Sequence, residues 1–268
     1  MTGMVSAKAG GEVFRLLDVR EGRFRVEIPL ASPLFDGHFP GHPILPGIAH
    51  LALVGRALGS VWAVRSVKLR RPVLPGSALD LLLGAPEDDG WVRFELRRED
   101  GAVSSGSILT CQREDAAGEP YDPALPAGTG FPSVEGLLPH APPARFVSGI
   151  FTASEEEIVC AAEIPPFHPL ADGGRVPAFV GIEAGAQAAA VLEALNRRQD
   201  AAGPRIGYLV GVRQARFALA AFATGRPLRV AARLVSGAFP LSIYEIAVGE
   251  PGREVLTGSI STFITRDG

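Results

Sequence analysis

Residues 104–112 read SSGSILTCQ and residues 256–264 read LTGSISTFI, so Gly106-Ser107-Ile108 returns as Gly258-Ser259-Ile260 at a separation of 152 residues. A repeat this long sets the organisation of the whole chain, because each copy must bury its apolar face against its own elements or against its twin. Upstream, VLPGSALDLLL (73–83) matches FATGRPLRVAA (222–232), with Gly76 against Gly225 at 149 residues. ILPGIAHLALV (44–54) matches RVPAFVGIEAG (175–185), with Pro46 against Pro177 at 131 residues. The second copy therefore carries 18 extra residues in its middle, expected to lengthen its helix and the adjoining loop.

The order of signals is the same in both copies: a strand pair, a Pro-rich turn, one apolar helix, then more strands. VFRLLDV and RFRVEIPL flank Arg20-Glu21-Gly22, a hairpin signal. GIAHLALVGRAL (47–58) is apolar on nearly all sides, as suits a helix wrapped by other elements. VWAVRSVKLRR, ALDLLLG, WVRFELRRE and AVSSGSILTCQ follow, each of strand length and separated by Gly-containing turns. The second copy offers FVSGIFTA, EEIVCAAEI, the helix PAFVGIEAGAQAAAVLEALNRR, then RQARFALAAF, LRVAARLV, LSIYEIAV and VLTGSISTFI. The expected class is α+β, one central helix on an antiparallel sheet in each copy. The copies span 10–113 and 131–266, joined by an aperiodic Pro/Gly/Ala/acid linker at 114–130.

Composition limits function. Lys plus Arg number 26 against 29 Asp plus Glu, a net charge of -3 that provides no field for polyanions, so nucleic acid is excluded as an expected partner. The N-terminal stretch MTGMVSAKAGGEVFRLL lacks a basic head followed by an apolar core, and a cytoplasmic protein without a membrane span is expected. Cys111 and Cys160 stand in apolar strand contexts without CxxC spacing, which reads as two buried thiols and no metal site.

The chemistry concentrates in FDGHFPGHPILPG (35–47). From spacing alone a histidine beside glycine and proline, such as His38, is more often a turn residue capped by backbone than a catalyst. The motif resembles the signature loop of the hot-dog-fold 3-hydroxyacyl-[acyl carrier protein] dehydratases, and KLRRPVLPGSAL (68–79) resembles that family's later strand motif. LLPHAPPARFV (137–147) and VPAFVGIEAGAQ (176–187) resemble the opening turn and central helix of the same superfamily, nearest to its aryl-polyene dehydratases. The resemblance implies a double hot-dog in one chain, with the sheets continuous across the pseudo-dimer. It also implies an active site between copies, built from a histidine of one and a carboxylate of the other.

Carried over, the histidine is His38. The carboxylate position 14 residues on is Ala52 in the first copy, whereas the repeat places Glu183 there in the second. One complete site per chain is expected, from His38 and Glu183. A neutral imidazole suits proton abstraction alpha to a thioester carbonyl. Glu183, among apolar neighbours, is expected to be desolvated toward its protonated form and to protonate the leaving hydroxyl. The Gly47 N–H, following Pro46 at the helix start, is the expected oxyanion donor. Pro40, Pro43 and Pro46 would fix the loop while Gly37 and Gly41 allow close approach of a thioester, and Gln187, one turn after Glu183, would hold its carboxylate.

His42 and His50 read as structural, His140 as a turn former, and His168 as an uncertain counterpart of His38. Arg70 and Arg71, with Arg213 and Arg216, are candidate contacts for an acidic carrier or its phosphopantetheine phosphate. The expected activity is reversible dehydration of 3-hydroxyacyl thioesters on acyl carrier protein, with no metal or redox cofactor and self-association beyond the fused pair left open. An acyl thioesterase on the same fold and a non-catalytic acyl-binding subunit of a synthase are the alternatives.

Overall fold

The computed structural model describes residues 12–111, 130–197 and 207–265. The stretch read as a linker lies outside them except for Gly130. In chain order the first copy contributes β1 (Arg15–Arg20), β2 (Arg23–Glu27), α1 (Gly47–Leu58), β3 (Ala63–Leu69), β4 (Ala78–Leu83), β5 (Trp91–Arg98) and β6 (Gly101–Leu109). The second contributes β7 (Val147–Ala153), β8 (Glu157–Glu163), β9 (Arg175–Pro177), α2 (Gly181–Arg197), β10 (Gly207–Phe217), β11 (Ala221–Ala223), β12 (Pro227–Ala238), β13 (Leu241–Glu250) and β14 (Arg253–Ile264).

Twelve strands form one antiparallel sheet in the order β1-β2-β4-β5-β6-β3-β10-β14-β13-β12-β8-β7. Read inward from either end, the order is the same for both copies, which meet where β3 pairs with β10. At that seam Val64 faces Ala215 and Val67 faces Val212. Val64 and Val212, like Val67 and Ala215, are 148 residues apart, so each copy sees the other in the same register. All four side chains are buried, and the seam continues the core instead of interrupting it.

Alternation decides which face of each strand meets the helices. Val92, Phe94 and Leu96 of β5, and Leu228, Val230 and Ala232 of β12, are buried while the residues between them are more exposed. The sheet thus curls around α1 and α2. In α1 every residue from Ile48 to Val54 is buried, which explains a helix apolar on all sides. The segment Ala178–Arg197 has the length and composition of a membrane span, but 72% of its most apolar window is packed inside this fold.

Pro46 and Pro177 head the two helical segments with nearly identical backbone angles, φ −54° and −55°, which keeps Ala52 and Glu183 structurally equivalent. The repeat separation rises from 131 residues there to 148 at the seam. Part of that surplus is helix: Leu58, the end of α1, corresponds to Ala189, and α2 continues to Arg197. The rest includes 198–206, outside the described residues.

Two expectations need correction. RQARFALAAF is not one strand: β10 ends at Phe217, and β11 pairs with β9 in a separate two-stranded ribbon in which Phe222 faces Val176 and Ala221 faces Pro177. This ribbon clamps the entry to α2. Cys111 is exposed, because it lies beyond the end of β6 where cross-strand pairing has stopped, whereas Cys160 inside β8 is buried and its thiol is pushed up to about 12.

Candidate active site

The loop before α1 folds back on itself. Ser32 Oγ caps the turn at Pro33–Phe35 by accepting from Leu34 N and donates to the Val13 carbonyl at 2.6 Å. The next turn brings His38 inward, with its N–H on the Phe35 carbonyl at 3.1 Å. His38 is buried, and its Nδ1 lies 2.9 Å from the Ile44 carbonyl. Only a protonated Nδ1 can pair with a carbonyl, so in the neutral ring Nε2 carries the lone pair.

Gly37 makes this placement possible. Its φ is +75°, and a Cβ there would stand 2.1 Å from the Ala141 carbonyl oxygen in the opening turn of the second copy. The Ala141 N–H donates back to the Gly37 carbonyl at 2.9 Å. Gly37 thus packs one copy against the other, a task the sequence expectation did not assign to it. Gly41, at φ +83° with nothing near its missing Cβ, forms a turn beside open space. Gly37→Ala should destabilise the protein by about 3 kcal/mol through left-handed strain and a backbone clash, and should lower activity by separating His38 from the second copy. Gly41→Ala should cost only about 1–2 kcal/mol. Urea unfolding of the two variants alongside the parent checks the contrast.

Glu183 reaches the same place from α2. It is buried, and Oε1 lies 3.3 Å from Gln187 Nε2 and 3.2 Å from His140 Nε2. Gln187 is itself locked: Nε2 donates to the Ala144 carbonyl at 2.8 Å while Oε1 accepts from Phe146 N at 2.8 Å. His140, expected to be a turn former, is instead a buried member of the site, its ring centroid 5.2 Å from that of His38. One ring nitrogen each of His38 and His140 and a carboxylate oxygen of Glu183 all lie within 4.8 Å of one another. Two side chains of this cluster come from the second copy and one from the first.

The electrostatics overturn one expectation. Burial raises the Glu183 carboxyl, but the contacts with His140, the charge of His38 and the Gln187 amide together outweigh it and bring the group down to about 2. That direction favours the ionised carboxylate at neutral pH. Burial lowers His38 below its ordinary value, more strongly than the Glu183 charge raises it. A neutral imidazole therefore faces an anion.

The cluster opens on a cavity of about 380 Å³ that follows one face of α2 through Ala186, Ala190, Glu193 and Arg197. Gly47 borders it at the first position of α1, where its N–H has no acceptor within the helix. A Cβ at Gly47 would come within 2.8 Å of Leu69 and 3.0 Å of Leu209. Arg70 and Arg71 also border the cavity, tied to Ser105 Oγ at 2.8 Å and the Asp100 carbonyl at 2.7 Å. Arg213 and Arg216 do not: both project from the exposed face of β10, and Arg216 borders a separate depression on the outer sheet surface. Pro40 is exposed and Pro46 buried. Ala52 leaves the twofold-related position without a carboxylate.

His168 packs on Phe146 at 5.5 Å between ring centroids, and its Nδ1 accepts from Leu170 N at 3.2 Å. His50, one turn inside α1, pairs with Ser104 Oγ at 2.9 Å and also borders the cavity. Burial lowers both histidines to about 4. A histidine whose folded value lies below its unfolded value of about 6.5 is protonated first in the unfolded chain, so acid favours unfolding. Stability should be full above pH 6.5 and fall by about 1.4 kcal/mol per pH unit for each such histidine between about 6.5 and 4. Urea unfolding across that range checks the slope, and His50→Gln should flatten it by one proton's worth.

Comparison with known proteins agrees with this architecture. Residues 132–267, half of the chain, match the ApeP-like family model, described as ApeP dehydratase, and residues 18–107 match the ApeI-like model, described as ApeI dehydratase. The 3-hydroxyacyl-[acyl-carrier-protein] dehydratase FabZ of Proteus mirabilis is 32% identical over 123 residues, covering 38% of this chain and 81% of that protein. FabZ of Klebsiella pneumoniae is 32% identical over 127 residues, covering 39% of this chain and 83% of that protein. Among solved structures, the dehydratase domain of a mycocerosic acid synthase-like polyketide synthase superposes with a TM-score of 0.70 at 16% identity over 97% of this chain and 98% of that one. The dehydratase domain of PpsC from Mycobacterium tuberculosis gives 0.65 at 16% identity over 93% and 96%. These two likenesses show the fold, a double hot-dog. From the family models and the FabZ relatives together, the chain belongs to the hot-dog 3-hydroxyacyl-[acyl-carrier-protein] dehydratase-like family.

Proposed function

We propose that this protein is a hydro-lyase that converts 3-hydroxyacyl thioesters to trans-2-enoyl thioesters at one composite site. The observation that carries the reading is the meeting of His38 and Glu183, from different copies, at the end of a single cavity. His38 Nε2 takes the proton from the carbon alpha to the thioester carbonyl. The electron pair becomes the new carbon–carbon double bond as the bond to the beta oxygen breaks. That oxygen leaves as water, taking the proton that His38 gained, relayed through the Glu183 carboxylate, so that both groups end as they began; a ring nitrogen of His38 and a carboxylate oxygen of Glu183 lie within 4.8 Å of each other. Gly47 N–H meets the charge that develops on the thioester oxygen.

Glu183 is thus a proton relay that starts as a carboxylate, not the isolated protonated acid expected from its apolar neighbours. Acyl carrier protein is the proposed carrier, with Arg70 and Arg71 at the cavity facing its acidic surface or the phosphate of its prosthetic group. The test uses one 3-hydroxyacyl group presented both on acyl carrier protein and as a truncated thioester. Enoyl absorbance should rise with both, faster at limiting concentration with the carrier. Release of free thiol without enoyl formation would mark a thioesterase and overturn the reading.

A further inference from the structure

We infer that His38, His140 and Glu183 form a zinc site whose occupation reversibly blocks the active site. Three features support it. First, the donor set of two imidazoles and a carboxylate is one that zinc takes in open, three-ligand sites. The His140 Nε2 to Glu183 Oε1 distance of 3.2 Å matches the ligand–ligand edge of about 3.3 Å in a tetrahedral site with bonds of ordinary length. All three donor atoms lie within 4.8 Å of one another, so the remaining edges close by about 1.5 Å of side-chain rotation.

Second, neither ring nitrogen of His140 makes an aligned hydrogen bond, although the ring is buried. Nε2 stands 3.2 Å from Glu183 Oε1 without completing a hydrogen bond to it. Buried polar atoms left in this way are costly unless a ligand satisfies them. Third, the surrounding contacts already orient the ligands. The Ile44 carbonyl holds His38 Nδ1–H and turns Nε2 inward, and Gln187, fixed by Ala144 and Phe146, holds the carboxylate. Such outer contacts are what fix tautomer and ring orientation in metal sites. The fourth position faces the cavity.

Zinc at this point would occupy the Nε2 lone pair of His38, which could then accept no proton. Its inhibition should be competitive with the thioester. The inhibition rests on the dehydratase reading, but the binding does not, and the two are measured separately. Tag-free protein is stripped with a chelator and titrated with zinc chloride in a calorimeter without substrate. One saturable ion per chain is expected, with affinity reduced more than about tenfold in His140→Gln and unchanged in His42→Gln, whose histidine is exposed. Magnesium, which prefers oxygen ligands, should not compete. In the parent protein, cobalt should give the intense visible bands of low coordination, which needs no variant to fold. Absence of saturable zinc binding, equal affinity in His140→Gln, or a pale octahedral cobalt spectrum would each overturn the site. Zinc binding by a protein that dehydrates nothing would leave the site standing and sink the proposed reaction.

Discussion

His38→Ala should lower kcat for 3-hydroxyacyl thioester dehydration by about a thousandfold while leaving KM within a few fold. General-base contributions run from about a hundredfold to ten thousandfold, and here the base has no substitute in place. His140, 5.2 Å away between ring centroids, lies against Glu183, and His50 is paired with Ser104. The variant should remain folded, since His38 contributes a single side-chain hydrogen bond to Ile44 and its ring faces a cavity. Steady-state kinetics and a thermal melt separate the two effects. A second readout is exchange of the alpha proton with heavy water, which the parent should catalyse and the variant should not. Dehydration within tenfold of the parent would remove His38 from the mechanism.

Much of this site was legible in the sequence because the repeat converts one motif into two positions. Pro46 and Pro177 anchor the register, so once the family resemblance implied a carboxylate at the position of Ala52, the repeat carried that expectation to Glu183, and the matching backbone at both prolines shows why the register holds. The ends of α1 were equally clear, since Pro and Gly bracket an unbroken apolar run. His140 was not legible. It approaches Glu183 only because Gly37 lets the turn at Ala141 close against the other copy, a contact between residues about a hundred positions apart. The protonation of Glu183 went wrong for the same reason. Its neighbours along the helix are apolar and argue for a raised value, while the groups that lower it arrive from other segments. A signal existed in hindsight: a buried carboxylate requires a partner, and LLPHAPP supplied a histidine with no other task.

Glu183→Gln should reduce kcat by about a hundredfold or more, and it should also move the pH profile in a direction that a merely structural role would not. The carboxylate raises the pKa of His38 against the lowering caused by burial. Removing the charge while keeping the shape lets burial act unopposed, so His38 falls further below its ordinary value. A base must be deprotonated to act, and a lower value keeps it deprotonated in stronger acid. The acid limb of kcat/KM, which reports the free enzyme, should therefore shift to lower pH even as the maximum drops. His140→Gln should be slow as well, because it removes the ring that borders the Glu183 carboxylate at 3.2 Å. If the two act as one unit their losses will not add: the double variant should be no more than about threefold slower than Glu183→Gln alone. Fully additive losses, or an acid limb that stays in place, would show that Glu183 supports the fold and moves no proton.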